Sequence, residues 1–312
     1  MRKAVIDVGS NSVLLLVEER GPNGWSPVYE STDVTSLGEN TKLTGLLGEA
    51  GMSRTLEALK TAFAKSKELN AGNPVAAVTM AARIAKNTDE FLKRASEQQT
   101  PVTVLSGDHE AELGFRAVSS DPAFSGARRI SIIDVGGQST ELTTADKTSS
   151  GWDTRFRKSY PVGTLALLGS TLSEECPDGV ARMHACREID EVVGLCYLPG
   201  QSGLAVVLGA TGTNLVSIRE KMSKWEPQKV NGAILGYEEI SKAAEWLAEL
   251  SVTERSKVVG IERGREATLP IGALILERFL FALRAEECAV SVRGWRHALL
   301  EQGLPLETTA SL

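Results

Sequence analysis

Short β-branched runs and small polar turns alternate from the first residues of the chain. Ala4-Val5-Ile6 and Ile130-Ser131-Ile132-Ile133 each lead into Asp-Val-Gly, and a second run follows each turn, Val13 to Val17 and Thr140 to Thr143. The pattern predicts strand, tight turn, strand at both places, with an Asp at the end of the first strand. The two stretches repeat one phrase: Ile6-Asp7-Val8-Gly9-Ser10-Asn11-Ser12 and Ile133-Asp134-Val135-Gly136-Gly137-Gln138-Ser139. Such a repeat points to two related half-domains facing each other across a phosphate-sized cleft.

The remaining pattern is α/β. Strands are predicted near residues 3–8, 13–19 and 27–35, then a glycine-rich connection over 38–51. An amphipathic helix follows, with Ser53 as N-cap and Leu56, Leu59, Phe63 and Leu69 on one face. Val75–Thr79 and Val102–Leu105 read as strands. Thr88 is the expected cap of a short helix carrying Phe91 and Leu92, and Ser106-Gly107-Asp108 opens a helix through Glu110, Leu113 and Phe115. The polar, Pro- and Gly-bearing segment 119–126 is the expected domain boundary. It divides the chain into 1–122 and 123–295, with a last helix at about 296–312 expected to complete the first domain. In the second half a helix is predicted over 178–196 and a strand over 204–208. Helices at about 213–222, 238–249 and 265–285 and a late strand over 289–292 complete it.

Composition narrows the functional classes. With 42% hydrophobic and 24% charged residues the chain reads as globular, and 312 residues suffice for two domains. A formal net charge of −6 argues against a nucleic-acid binder, which would normally carry a basic face. The longest apolar runs are far too short to span a bilayer, so no membrane partner is expected. Met1-Arg2-Lys3 leads directly into a strand, leaving no room for a signal peptide, and the cytoplasm is the expected compartment. Cys176, Cys186, Cys196 and Cys288 form no Cys-x-x-Cys pair, and His184 near Cys186 lacks a second ligand pair, so reduced, mostly buried thiols are expected. His109 and His297 read as single structural histidines.

Turns of glycine and small hydroxyl residues let backbone N–H groups approach an anion closely. Gly9 to Ser12 and Gly136 to Thr140 fit that description. An Asp before Gly is also a common turn, yet recurrence of Asp7 and Asp134 in a matched frame is hard to assign to chance. Glu141 adds a carboxylate behind the second turn, and such a set suits a hard divalent cation sharing phosphate oxygens. Gly209-Ala210-Thr211-Gly212-Thr213-Asn214 is a third turn between strand and helix; an ordinary connection explains it equally well. Glu110, in the first turn of its helix, would stay ionised there or merely complement the helix end. Arg83 follows a buried strand and is either solvated or forks onto phosphate oxygens.

Taken in order, these segments resemble the exopolyphosphatase/guanosine pentaphosphate phosphatase (Ppx/GppA) family of the actin, Hsp70 and sugar-kinase superfamily. The first phosphate loop is similar to Asp7–Ser12, a Thr-x-x-x-Arg segment to Thr79–Arg83 with Asn87 after it, and Ser-Gly-x-x-Glu-Ala to Ser106–Ala111. The second loop is similar to Asp134–Glu141. Gly163, residues 209–214 and 269–276, and Val292–Arg296 also lie in family order. Three positions depart from the family pattern. Gln138 stands where a third glycine is frequent, Glu112 where an Arg is usual, and Gly-Ala-Thr-Gly where Gly-Gly-Thr is common. The chain is similar to the short form without an added C-terminal His-Asp domain.

The resemblance implies two actin-like (ribonuclease H-like) α/β domains with the active site in the cleft between them, and hydrolysis of a terminal phosphoanhydride. Glu110 would orient or deprotonate the attacking water. Asp7, Asp134 and Glu141 would place Mg²⁺, with Mn²⁺ as the substitute. Gly9, Ser10, Asn11, Ser12, Gly136, Gly137, Gln138, Ser139, Thr140, Gly209, Thr211 and Gly212 would hold phosphates together with Arg83. Inorganic polyphosphate is the implied substrate, with pppGpp as the rival. A non-catalytic (p)ppGpp- or nucleotide-binding regulator is the alternative class, and a homodimer is implied by the family alone. Short polyphosphates are the expected preference, because the acidic chain offers few cations (Arg83, Lys86, Arg265) for a long polyanion.

Overall fold

The computed structural model describes residues 1–22, 24–194 and 203–302. Cys196, the predicted end of the 178–196 helix and the tail 303–312 lie outside the described residues. The chain forms two compact units, Met1–Arg116 with the chain from Trp295 onward, and Ala117–Gly294. The first division falls inside a helix, ahead of the polar 119–126 segment.

In the first unit, β1 (Arg2–Val8), β2 (Ser12–Gly21) and β3 (Gly24–Val34) form an antiparallel meander. After α1 (Thr41–Thr44) and α2 (Glu49–Glu68), β4 (Val75–Val78) adds parallel to β1, and β5 (Thr103–Val104) parallel to β4. The order is β3-β2-β1-β4-β5. The apolar run of β1 places Val5 and Ile6 in a fully buried central strand, whereas β3 is an edge with polar positions facing water. Helix α2 buries Met52, Leu56, Leu59 and Phe63 at helical spacing. It begins at Glu49 with Gly48 as its cap, not at Ser53. Gly51 lies inside it because a Cβ there would stand 3.0 Å from the Ser36 carbonyl oxygen. The short α3 (Met80–Ile84) follows β4, then α4 (Thr88–Glu97) and α5 (Gly107–Ser119). Asn87, not Thr88, occupies the cap position of α4; the Thr88 hydroxyl instead donates back to the Ala82 and Ala85 carbonyls at 2.6 and 3.0 Å.

The second unit repeats the plan. Following a 3-10 turn (Pro122–Phe124), β6 (Arg129–Val135), β7 (Thr140–Thr148) and β8 (Gly151–Tyr160) form the antiparallel meander. Helices α6 (Thr164–Leu168) and α7 (Gly179–Val193) precede β9 (Leu204–Leu208), which runs parallel to β6. Then come α8 (Ala210–Arg219), α9 (Pro227–Val230), β10 (Ile234–Gly236), α10 (Tyr237–Glu249), α11 (Val252–Arg255), α12 (Leu269–Leu283) and β11 (Glu287–Val290). The sheet order β10-β11-β9-β6-β7-β8 contains the same five-strand arrangement as the first sheet, with β10 added at the edge. The repeated phrase is therefore the visible part of a duplicated topology. Helix α12 is the spine of this core, with Ile275, Leu276, Phe279 and Leu280 fully buried and Phe279 edge-on to Tyr160 at 5.3 Å. The final helix α13 (Trp295–Gln302) packs on β1 and β2 in the first unit. No described helix is long and apolar enough to cross a membrane. Of the thiols, Cys288 is buried and Cys186 half-buried, but Cys176 is exposed, contrary to expectation.

Candidate active site

Both repeated turns are closed by the same backbone bond. The Gly9 N–H donates to the Ser12 carbonyl at 2.8 Å, and the Gly136 N–H to the Ser139 carbonyl at 2.9 Å. The first turn is braced by residues 35–38: Thr35 and Ser36 N–H groups donate to the Asn11 carbonyl at 3.0 Å, and Gly38 N–H to the Ser10 carbonyl at 2.8 Å. Ser10, Asn11 and Ser12 are buried, yet Asn11 Nδ2 and Ser12 Oγ meet no acceptor. Buried donors without partners are rare, and two beside a glycine turn suit an oxyanion.

At the end of β1, Asp7 Oδ1 is also buried without a hydrogen-bond partner. Burial pushes its carboxyl up to about 6, against the opposing pull of Arg296, the Trp295 indole and Arg83. Trp295 and Arg296 come from the last helix, and local sequence gave no sign of their place beside Asp7. The folded state binds this proton more tightly than the unfolded chain, whose carboxyl titrates near 3.8. Stability from protonated Asp7 is thus complete below that value and lost as pH rises through about 6. In buffer with EDTA, urea titrations from pH 4 to 7.5 should show a decline of about 2 kcal/mol. Asp7→Asn should flatten it. Parallel curves for wild type and variant would show that Asp7 does not carry the effect.

Arg83 and Glu110 are 27 residues apart in sequence and meet because β4–α3 and β5–α5 run side by side. Arg83 Nη1 donates to Glu110 Oε2 and to the Leu105 carbonyl, both at 2.8 Å, and Nη2 reaches Met80 Sδ at 3.6 Å. The two side chains are 18% and 19% exposed. In this part-dry setting a charge-assisted bond fixes the carboxylate in place. The family resemblance implies a phosphate contact for Arg83; in this structure its Nη1 is turned to Glu110. The start of α5 is tied by the His109 N–H to Ser106 Oγ at 3.3 Å. Asn87 exchanges two bonds with the Leu47 backbone, at 2.8 and 3.0 Å, and so pins a loop. Glu112 pairs with Arg116 one turn further along the helix. His297, expected to stand alone, has Nε2 3.6 Å from Glu30 Oε1.

In the second unit, Gly136 and Gly137 are locked by α6. Their carbonyls accept from the Thr164 N–H at 3.0 Å and the Leu165 N–H at 2.7 Å. A Cβ on Gly163 would lie 2.6 Å from the Gly137 carbonyl carbon, so only glycine allows this approach. Asp134 and Glu141 are direct cross-strand neighbours on β6 and β7. Glu141 Oε1 accepts from Ser139 Oγ at 2.7 Å and Ser159 Oγ at 2.6 Å. Gln138 is buried within the turn, and the Thr140 hydroxyl donates to the Val162 carbonyl at 2.7 Å, a bracing role. Gly209, at φ +80, caps α8 and lies against Asp134, where a Cβ would be 3.5 Å from Oδ1. Gly212 is one turn into α8 and faces the sheet, its missing Cβ leaving room for Val207. Thr211 packs against Gly272 of α12. Arg265 is engaged by Glu262 at 3.2 Å, while Lys86 is exposed.

Among the described residues, no group of three or more His, Cys, Asp or Glu is gathered as a metal cluster. The Asp134–Glu141 pair does fit a cation that takes one or two carboxylates and otherwise keeps water and phosphate oxygens, as Mg²⁺ does. In the first unit, taken by itself, the Asp7 oxygen without a hydrogen-bond partner is a hard donor.

Two α/β units of duplicated topology, each with a glycine turn beside a strand-end Asp, define the actin-like class. Its solved members include the Aquifex aeolicus Ppx/GppA protein, which matches with a TM-score of 0.76 at 28% identity, covering 97% of each chain. The Ppx/GppA phosphatase family profile matches residues 16–307, and the chain belongs to that family. Exopolyphosphatase 1 of Mycobacterium tuberculosis is 28% identical over 98% of this chain and 88% of its own length. The bifunctional 3-dehydroquinate synthase/phosphatase of Fusobacterium nucleatum is 26% identical over 89% of this chain, which spans 43% of that protein. By family the chain is a phosphatase.

Proposed function

We propose that this chain is an exopolyphosphatase that releases orthophosphate from the end of inorganic polyphosphate, preferring short chains, with Mg²⁺ as cofactor. The observation that carries this reading is the half-buried Arg83–Glu110 pair at the start of α5. A carboxylate oriented by Arg83 is suited to orient a water for attack on a terminal phosphorus. Water supplies one oxygen to that phosphorus as its bond to the bridging oxygen breaks. The water's proton leaves toward Glu110, and the shortened chain keeps the bridging oxygen. Asn11 Nδ2, Ser12 Oγ and the backbone of the two glycine turns would bind the non-bridging oxygens. Asp134 and Glu141 would hold Mg²⁺, with Asp7 as a third carboxylate. The ion, when bound, neutralises charge on the transferring phosphoryl group. Such a reaction depends mainly on positioning and electrostatics, which these residues supply.

The preference for short chains rests on charge. The protein is acidic at −6, Glu112 with its Arg116 partner offers no net cation, and Arg83 and Arg265 are already paired. A long polyanion would gain little along such a surface. Phosphate release from short polyphosphate, long polyphosphate and pppGpp, compared side by side as kcat/KM per chain end, tests this. The short polymer should be favoured. Faster, processive degradation of long chains would overturn the preference, and pppGpp as the best substrate would replace the polyphosphate assignment.

A further inference from the structure

A cavity of about 700 Å³ opens in the second unit among α7, α10, α11 and α12. That size is ordinary for a small-molecule site. It is distinct from the glycine turns. On α12 its walls are Pro270, Ile271 and Leu274, whereas Gly272, on the opposite side of the helix, packs against Thr211 of the third turn. The lining is mainly apolar, with Leu168, Leu172, Ala244 and Ala248 joining the α12 residues.

Two cations line it, and they differ. Arg255 is buried and spends all three guanidinium nitrogens on the carbonyls of Leu247, Glu266 and Glu175. Arg182, on α7, has a buried Nη1 without any acceptor. A buried, unmade bond from a charged donor is costly, so a ligand acceptor at that nitrogen is favoured. The acidic groups restrict what that ligand can be. Glu174, Glu175 and Glu245 are exposed at the rim, and the Glu175 carboxylate is occupied by the Val252 N–H. Glu277 lies deeper and accepts from the Tyr237 hydroxyl at 3.2 Å. Four carboxylates around one available guanidinium repel a polyphosphate or nucleotide, but leave room for a single negative charge at Arg182.

We propose that this cavity binds an amphipathic monoanion, an apolar chain with one carboxylate head, the head on Arg182 and the chain along α10 and α12. The proposal is independent of the reaction assigned above, because its test reads binding alone. Titrating the full chain with dodecanoate, below its micellar concentration, by isothermal calorimetry should give saturable binding of one molecule per chain. Arg182→Met keeps the apolar stem and removes the charge; it should weaken binding about tenfold or more. Ser241→Phe fills the cavity from α10 and should abolish binding with an unchanged far-ultraviolet spectrum. Dodecyltrimethylammonium, with the same chain and opposite charge, should bind at least about tenfold more weakly. Unsaturable binding, equal affinity for the cation, or wild-type affinity in Arg182→Met would overturn the proposal; the last needs no information from the bulkier variant.

Discussion

Replacing Glu110 by Gln is expected to lower the turnover of phosphate release at least about a hundredfold, the scale of a positioned acid or base. The substitution keeps size and shape but removes the charge that Arg83 holds at 2.8 Å. KM should move little, because no proposed phosphate donor is touched and binding common to ground and transition state survives. The half-buried guanidinium would keep its bond to the Leu105 carbonyl, so the variant should stay folded, with modest destabilisation visible in thermal melting. Initial rates on short polyphosphate check the prediction. Near-wild-type turnover in a folded variant would remove Glu110 from the reaction and leave the Arg83 pair as a structural brace.

Removing divalent metal is the second large effect. Dialysis against EDTA should reduce turnover by roughly a thousandfold, the scale of losing several kcal/mol of transition-state stabilisation. Mg²⁺ or Mn²⁺ should restore it. The reason is local: Asp134 and Glu141 are adjacent across β6 and β7, and two carboxylates beside the proposed phosphate-binding turn would repel a polyanion unless a cation lay among them. Asp134→Asn should raise the Mg²⁺ concentration needed for half-maximal rate. Full activity in metal-free buffer would remove the metal role from both residues.

The central strands and turns were legible because a buried strand leaves an unmistakable β-branched run, and because the phrase around Asp7 recurs around Asp134. Two helix starts were misplaced at glycines. Gly51 and Gly212 read as turns but lie inside α2 and α8, where the absent Cβ permits close packing against Leu37 and Val207. Both helices consequently begin earlier than the pattern suggests. Strand β8 escaped notice because it is an edge: only Trp152 and Phe156 are partly covered ahead of buried Tyr160, so no strict alternation marks it. At the site, residue types were readable but partnerships were not. Arg83 and Glu110 are joined by strand order, and Trp295 and Arg296 reach Asp7 only through the return of the last helix. No local window of sequence contains either fact.

Hydrolysis from the chain end is defined by where water enters. Single-turnover hydrolysis of short polyphosphate in ¹⁸O-enriched water, read by mass spectrometry, should place one ¹⁸O in the released orthophosphate and none in the shortened chain. Label in the shortened chain, or orthophosphate without label, would contradict terminal attack by water.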